Sequence, residues 1–258
     1  MRTDQRPIGY VICCEPRSGS SFLGRILAST GCLGRPKEYF GYAKVRAEVL
    51  RDPEAGMRTL LERAATPNGV YGLKMFSYHF DVMARSGWAD RLPNLRYIHL
   101  ERRDLLDQAI SYVRGMQTGR FQSHQPSLRR ARYDGRAIAR QLNRLALDQA
   151  RWRRYFARNS IQALPLVYED VAADPQAAAI AVAALVGIPP PRIVEAAIDL
   201  EVMRDGLSAE WRRRFVAERG DRSRLVTDGL VWPARQWLRR IRQRLDLGAV
   251  KRDPRDWP

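Results

Sequence analysis

The sequence predicts an α/β fold with a mostly parallel central sheet flanked by helices. Apolar segments typical of buried strands alternate four or five times with segments whose apolar residues recur at helical spacing. Strands joined through helices pair in parallel, because each crossover returns the chain to the same end of the sheet. Three of the predicted strands end in residues suited to anions, and we expect them to meet at one edge.

The first unit predicts a strand at 10–14, a loop at 15–19 and a helix that begins near Ser20. The free N–H groups of a first helical turn favour an anion, and Gly19 lets the backbone approach it closely. Further donors for phosphate or sulfate oxygens are a guanidinium and three hydroxyls, from Arg17, Ser18, Ser20 and Ser21.

Two other interpretations of this loop are an ordinary turn and a Walker nucleotide loop. In the ordinary turn, Ser20 or Ser21 would cap the helix. The Walker loop is disfavoured because no Gly-Lys-Ser/Thr follows, so its lysine and metal-binding hydroxyl are missing.

The second unit brings a carboxylate and a lysine towards this loop. The segment 30–40 returns over the end of the first strand and carries Glu38, whose alternative is a solvated group or an ion pair with Arg35 or Lys37. One or two helices broken near 52–53 follow, and then a strand at 70–76. Lys74 in this strand either lies at a sheet edge or reaches an anion from the carboxyl end.

The third unit predicts a second anion site. A strand at 95–100 leads through Arg102 and Arg103 to Asp104, which is typical of a helix N-cap, and Ser111 follows two turns later. Exposed arginines and a solvated serine are the alternative. The histidines at 79 and 99 lack ligand spacing with any partner, so no metal site is predicted.

The remaining segments predict a long amphipathic helix at 133–158, a short buried strand at 164–168, a helix from Asp174 to Gly187 and another at 193–203. At 233–247 apolar residues alternate with arginines, which predicts a basic amphipathic helix. Such a helix either docks on the protein's own surface or binds a membrane or partner. We expect a main domain at 1–222 and an extension at 223–258.

The composition indicates which partners and which cellular compartment to expect. A formal net charge of +17 favours an anionic partner, although the predominance of arginine is also typical of a GC-rich genome. Three cysteines predict reduced thiols. Because no signal-like segment or long apolar run occurs, we expect a cytoplasmic protein, at the inner face of the membrane if the C-terminal helix binds there.

Together these motifs resemble the sulfotransferase superfamily, and most closely its bacterial trehalose sulfotransferase branch. The resemblance spans roughly residues 8 to 215, and the order and spacing of the motifs make it specific. The matching residues are Arg17-Ser18-Gly19-Ser20-Ser21, Pro36-Lys37-Glu38-Tyr39-Phe40, 66–70 with Gly72 and Lys74, Arg102, Asp104, Gln108, Ala109, Ser111, Gln117-Thr118, Trp152, 168–171 and 174–175.

The resemblance implies a P-loop-like sulfotransferase fold that moves a sulfuryl group from 3′-phosphoadenosine-5′-phosphosulfate (PAPS) to a carbohydrate or glycolipid hydroxyl. Glu38 would be the general base, with Arg17 and Lys74 stabilising charge. Residues 17–21 would bind the 5′-phosphosulfate, and Ser111 with Arg102 or Arg103 the 3′-phosphate. No metal or nucleic acid is implied. Acceptor contacts would come from Pro16, Arg35, Pro36, Lys37, Tyr39 and Phe40.

Departures from the branch concern the acceptor. The trehalose enzymes have a glutamine before the loop arginine and an acidic residue at the start of the proline-glutamate segment. Here these places hold Pro16 and Arg35, and Lys37 replaces a neutral polar residue. The change favours an acceptor that carries negative charge.

Two function classes compete at this point. The first is a PAPS-dependent carbohydrate sulfotransferase. The second is an anion-binding, nucleotide-binding or membrane-associated module without catalysis, which the retention of Glu38 beside a complete loop disfavours. A small-molecule kinase is disfavoured by the missing Walker lysine. The acceptor and the oligomeric state, a homodimer included, stay open.

Overall fold

The computed structural model describes residues 7–121, 129–198 and 206–223. Four strands form one parallel sheet in the order β2-β1-β3-β4. The strands are β1 (Ile8–Cys14), β2 (Val70–Phe76), β3 (Leu95–Glu101) and β4 (Leu164–Val167). The predicted parallel α/β fold is therefore confirmed.

Helices cover both faces of this sheet and extend past its carboxyl edge. In chain order they are α1 (Ser20–Ser29), α2 (Ala43–Arg51), α3 (Pro53–Ala64), α4 (Ser77–Met83), α5 (Leu105–Thr118), α6 (Gly135–Arg158), α7 (Tyr168–Ala173), α8 (Pro175–Val186) and α9 (Gly206–Arg219).

The register of the sheet aligns the carboxyl ends of three strands. Cys14, the last residue of β1, pairs with Phe76 of β2 and with Leu100 of β3. Because the strands are parallel, the three segments that follow them all leave from one edge. This edge receives the loop before α1, the start of α4 and the start of α5.

Side chains of β1 alternate between two separate layers of core. Tyr10 and Ile12 pack with α1 and α8 on one face, whereas Val11 packs with α3 and the carboxyl half of α6 on the other. Burial on both faces explains why β1 reads as a continuous apolar run.

A third cluster lies where α5, the first half of α6 and α9 meet. Trp211 and Phe215 of α9 pack there against α5 and α6. Arg212 of the same helix pairs with Asp104 at 2.8 Å and with Asp107 at 2.9 Å. The basic segment around Arg212 therefore braces the start of α5.

Most predicted element boundaries are confirmed. The break near 52–53 separates α2 from α3, and Asp52 caps α3 by accepting a hydrogen bond from the Ala55 N–H at 3.1 Å. The strand predicted at 164–168 ends at Val167 and is only partly buried, since β4 forms an edge of the sheet. Asp174 caps α8, and Gly187 ends it.

The helix predicted at 193–203 is wrong in its described part, 193–198, where only a 3-10 turn at Glu195–Ala197 forms. Side chains of other helices instead anchor this segment by accepting hydrogen bonds from its backbone N–H groups. The Ile193 N–H donates to Gln176 of α8, and the Val194 N–H donates to Ser29 of α1.

The C-terminal helix predicted at 233–247 lies outside the described residues, so the boundary at 222 and 223 stays a prediction. Within the ranges that the structure covers, no helix is both long and apolar enough to cross a membrane.

Candidate active site

The loop between β1 and α1 is held in a fixed conformation by three hydrogen bonds. The Ser18 N–H donates to the Glu15 carbonyl at 3.2 Å, and the Gln108 side chain donates to the Pro16 carbonyl at 2.8 Å. Arg102 donates to the Arg17 carbonyl at 3.4 Å. These bonds hold Arg17 at a φ of 66°, in the left-handed region, which costs about 1–3 kcal/mol.

Helix α1 begins directly after this loop without a side-chain cap. Gly19 is the N-cap residue, with a φ of 84°, and Ser20 and Ser21 are the first two helical residues. The alternative in which one of these serines caps the helix is therefore wrong. A β-carbon on Gly19 would overlap the ring of Tyr168, so both backbone conformation and space require glycine here.

Positive charge concentrates beside the loop. Arg17 Nε donates to Ser111 Oγ at 2.9 Å, and Arg17 Nη1 donates to the Phe121 carbonyl. Burial lowers the pKa of Arg17, and the neighbouring Arg102 and Arg114 lower it further. A site in which guanidinium groups repel one another attracts an anion.

The two arginines after β3 point in different directions. The Arg102 side chain is 10% exposed and lies over the Tyr168 ring, 5.3 Å from its centroid. The Arg103 side chain is 61% exposed and forms two 2.9 Å hydrogen bonds to Asp170. Of the pair, Arg102 therefore faces the loop.

Glu38 is carried to the loop by a segment that runs beside β2. Lys37 pairs in parallel with Leu73, and the Lys74 N–H donates to the Lys37 carbonyl at 3.0 Å. Although β2 ends the sheet, this segment covers it and leaves only 7% of the Lys74 side chain exposed.

A chain of polar contacts joins Glu38 to α1. Lys74 Nζ lies 2.6 Å from Glu38 Oε1 and donates to Ser21 Oγ at 3.2 Å. The partner of Glu38 is therefore Lys74 rather than Arg35 or Lys37. Because 35% of the Glu38 side chain is exposed, a ligand can approach its carboxylate.

The predicted acceptor residues divide into buried and exposed groups. Tyr39, Phe40 and Pro36 are buried, and Phe40 packs edge-on against Trp88 in the core. Packing of these side chains holds the segment that carries Glu38, and their contact with an acceptor stays a prediction. Arg35 and Lys37 are exposed.

His79 lies beside Glu38. From its position in the sequence we assessed this residue only as a metal ligand. Its Cε1 and Glu38 Oε2 are each 3.6 Å from the point where a β-carbon on Gly41 would stand. The ring is buried, its Nδ1 has no partner among the described residues, and burial lowers its pKa. In the sequence, the only indication of a role for His79 in the site was its position shortly after the strand that carries Lys74.

Glu15 was missed as a site residue although it directly follows the first buried strand. Its side chain is 4% exposed, and its Oε1 accepts hydrogen bonds from the Ser77 N–H at 3.2 Å and from Trp152 Nε1 at 2.9 Å. Burial raises the pKa of Glu15 to about 7, and Asp148 contributes to the increase. In the sequence, the only indication was that this carboxylate stands between a predicted strand and a Pro-Arg pair.

Several buried polar atoms around the loop lack partners among the described residues. They include Ser18 Oγ, Ser77 Oγ and Gln108 Oε1. Buried polar groups are normally satisfied, so these atoms fit a site that holds a polar ligand or water. No group of three or more His, Cys, Asp and Glu suited to a metal occurs within 7–121, 129–198 and 206–223.

We expect the Glu15→Gln variant to be more stable than the wild type at pH 8.5 but not at pH 5. Because the pKa of Glu15 is about 7 in the folded state against an ordinary 4.5, its contribution to stability is fully present below pH 4.5 and is lost as the pH rises through 7. This increase in pKa corresponds to about 3 kcal/mol in the free energy of unfolding. Urea unfolding of both proteins at the two pH values measures it, and an equal difference at both would contradict the prediction.

Comparison with known proteins identifies a matching family profile and two curated relatives. The profile of the family described as "Stf0 sulphotransferase" matches residues 9–218. A trehalose 2-sulfotransferase of Mycobacterium tuberculosis is 26% identical over 256 residues, covering 81% of this chain and 94% of the relative. One from Mycolicibacterium smegmatis is 28% identical over 208 residues, covering 63% and 78%.

Among solved structures, a sulfotransferase from Alicyclobacillus acidocaldarius aligns with a TM-score of 0.47 at 18% identity, covering 83% of this chain and 96% of the other. The sulfotransferase domain of the Synechococcus PCC 7002 olefin synthase aligns with a TM-score of 0.39 at 18% identity, covering 82% and 90%.

Proposed function

The chain belongs to the Stf0 sulphotransferase family, and on that premise we propose that it transfers a sulfuryl group from PAPS to a carbohydrate hydroxyl, with Glu38 as the general base. The observation that carries this proposal is the contact chain from Glu38 through Lys74 to Ser21. It joins a partly exposed carboxylate to the helix start that would bind the transferred group.

The residues around the loop fit a donor with two anionic groups. The N–H groups at the start of α1 and the guanidinium of Arg17 would hold the 5′-phosphosulfate. Arg102, which faces the loop, and Ser111, which contacts Arg17, would hold the 3′-phosphate. The unpartnered oxygens of Ser18 and Gln108 offer further hydrogen bonds. Arg103 has no part in this proposal, because it pairs with Asp170 on the outside.

When bound, the donor supplies a sulfuryl group on a phosphate leaving group. Glu38 accepts the proton of the attacking hydroxyl while the new O–S bond forms and the bond from sulfur to the phosphate oxygen breaks. Oε2 of Glu38 is suited to this step, since Oε1 is occupied by Lys74. Lys74 and Arg17 stabilise the negative charge that passes to the leaving phosphate.

The acceptor class follows from the relatives and from three residues of this chain. The curated relatives are named for trehalose, a disaccharide. In the present chain, Pro16 stands at the entrance of the loop, and the exposed Arg35 and Lys37 flank the segment of Glu38. Two exposed cations favour a sugar or glycolipid with an anionic group. A glycolipid acceptor would also give the 233–247 segment a membrane-binding role.

The proposal is tested by incubating the protein with PAPS and a panel of trehalose, trehalose 6-phosphate and lipid extracts. We expect mass spectrometry to detect a sulfated product that depends on PAPS. Calorimetry should detect binding of adenosine 3′,5′-bisphosphate without Mg²⁺ and much weaker binding of ATP. Bisphosphate binding without any transfer would favour a non-catalytic module, and tight ATP binding would contradict the proposed donor.

A further inference from the structure

Glu15 connects the loop between β1 and α1 (residues 15–19, here called the anion loop) to two helices that do not belong to it. Its backbone carbonyl accepts the Ser18 N–H inside the loop. Its side chain accepts hydrogen bonds from the Ser77 N–H at the start of α4 and from Trp152 Nε1 in the carboxyl half of α6. Both donors share one carboxylate oxygen, so one side chain fixes where the loop leaves β1.

The bonds of Glu15 differ in kind from the other attachments of the loop. Gln108 and Arg102 both belong to the β3–α5 side, and each holds a backbone carbonyl. The Glu15 side chain instead ties the loop to α4 and α6. Ser77 follows Lys74 by three residues, so this attachment also fixes the loop relative to the strand of Lys74.

The groups that face Glu15 from α6 include one further carboxylate. Asp148 is 7% exposed and raises the pKa of Glu15. Arg151 and Arg144 compensate Asp148 at 3.0 Å and 3.5 Å, and Arg151 also pairs with Asp81 at the surface. Both arginines are therefore engaged by other carboxylates.

The groups that face Glu15 from β1 and α4 are neutral at pH 7. Burial raises the pKa of the Cys13 thiol, and it raises the pKa of Cys14 to about 12. Burial, with Glu38 adding to its effect, raises the pKa of the Tyr78 hydroxyl. An ionised Glu15 consequently adds a negative charge with little compensation at the base of a loop suited to anions.

We propose that Glu15 is a positioning residue of the anion loop: its side chain fixes the loop to α4 and α6, and its charge sets how tightly the loop holds an anion. The second half follows from linkage, because an anion in the loop favours the protonated form of Glu15 and the protonated form favours the anion. The inference rests on the proposed function for the identity of the anion, a 5′-phosphate or phosphosulfate.

The test measures binding of adenosine 3′,5′-bisphosphate by calorimetry at pH 6 and pH 8.5. Because Gln keeps an oxygen for both donors, we expect Glu15→Gln to match the wild type at pH 6 and to bind at least about threefold more tightly at pH 8.5. Glu15→Ala, where circular dichroism shows that it folds, should bind at least about tenfold more weakly at both pH values, since two buried donors lose their partner.

Two further variants separate this role from a general effect of charge. Asp148→Asn removes a group that raises the pKa of Glu15. The affinity of this variant should therefore fall at a lower pH than the affinity of the wild type. Glu62→Gln removes an exposed carboxylate of α3 and should behave as the wild type.

Equal affinities of wild type and Glu15→Gln at both pH values would overturn the inference, as would a folded Glu15→Ala with wild-type affinity. If the wild type itself does not bind the bisphosphate, the proposed donor fails, and the inference fails with it. That result differs from wild-type binding that is indifferent to Glu15.

Discussion

Glu38→Gln should reduce turnover by about 10²–10⁴-fold while leaving the affinity for adenosine 3′,5′-bisphosphate within about threefold of wild type. Gln retains the shape of Glu38 and an oxygen for the Lys74 ammonium, which lies 2.6 Å from the carboxylate. It cannot accept the proton that the acceptor hydroxyl must lose. The loss should therefore fall on the chemical step rather than on donor binding.

Single-turnover transfer from labelled PAPS, with the acceptor identified in the panel above, measures this effect directly. Glu62→Gln provides the matched control, because it makes the same substitution at an exposed position on α3. A Glu38→Gln protein with turnover within tenfold of wild type would remove Glu38 from the role of base. A parallel loss of bisphosphate affinity would instead assign Glu38 to the donor site.

Arg102→Ala should weaken binding of adenosine 3′,5′-bisphosphate by about 10–100-fold, whereas Arg103→Ala should change it less than about threefold. A charge-assisted hydrogen bond contributes about 1.5–3 kcal/mol, and only the Arg102 side chain faces the loop. Arg103 is largely exposed and bonds to Asp170 on the surface. Because Arg102 and Arg103 are adjacent residues of the same type, the Arg103→Ala variant is a matched control for Arg102→Ala.

Calorimetry with two ligands distinguishes loss of a phosphate contact from disturbance of the loop. Adenosine 5′-phosphate lacks the 3′-phosphate, so Arg102→Ala should affect its binding far less than that of the bisphosphate. An equal loss for both ligands would indicate that Arg102 acts through the Arg17 carbonyl, to which it donates. A larger effect of Arg103→Ala would reverse the assignment.

The sequence was sufficient for features that depend on local pattern. The strand at β1, the loop at 15–19 and the helix from Ser20 follow from apolar periodicity and from glycine and proline positions. Asp104 was recognised as an N-cap because its short carboxylate suits the first-turn N–H groups, and it accepts from the Asp107 N–H at 3.0 Å. The family resemblance needed only the order of such motifs.

Local pattern failed where a distant segment competed for the backbone. At 193–198 the apolar spacing favours a helix, but the segment is anchored to α8 and α1 by hydrogen bonds from its N–H groups to Gln176 and Ser29. Tyr39 and Phe40 sit next to Glu38 in the chain, yet they are buried in the core. Adjacency in sequence does not tell which side of a chain faces solvent.

The sequence by itself determined most of the helices and strands, their order, and a glycine-containing loop before α1, because these depend on periodicity and on residues a few positions apart. Tertiary structure alone decided that Lys74 joins Glu38 to Ser21, that Arg102 rather than Arg103 faces the loop, and that Glu15 is buried between α4 and α6. These outcomes depend on parallel crossovers that bring together residues 36 to 137 positions apart. The direction of each side chain is then set by packing, which no local pattern encodes.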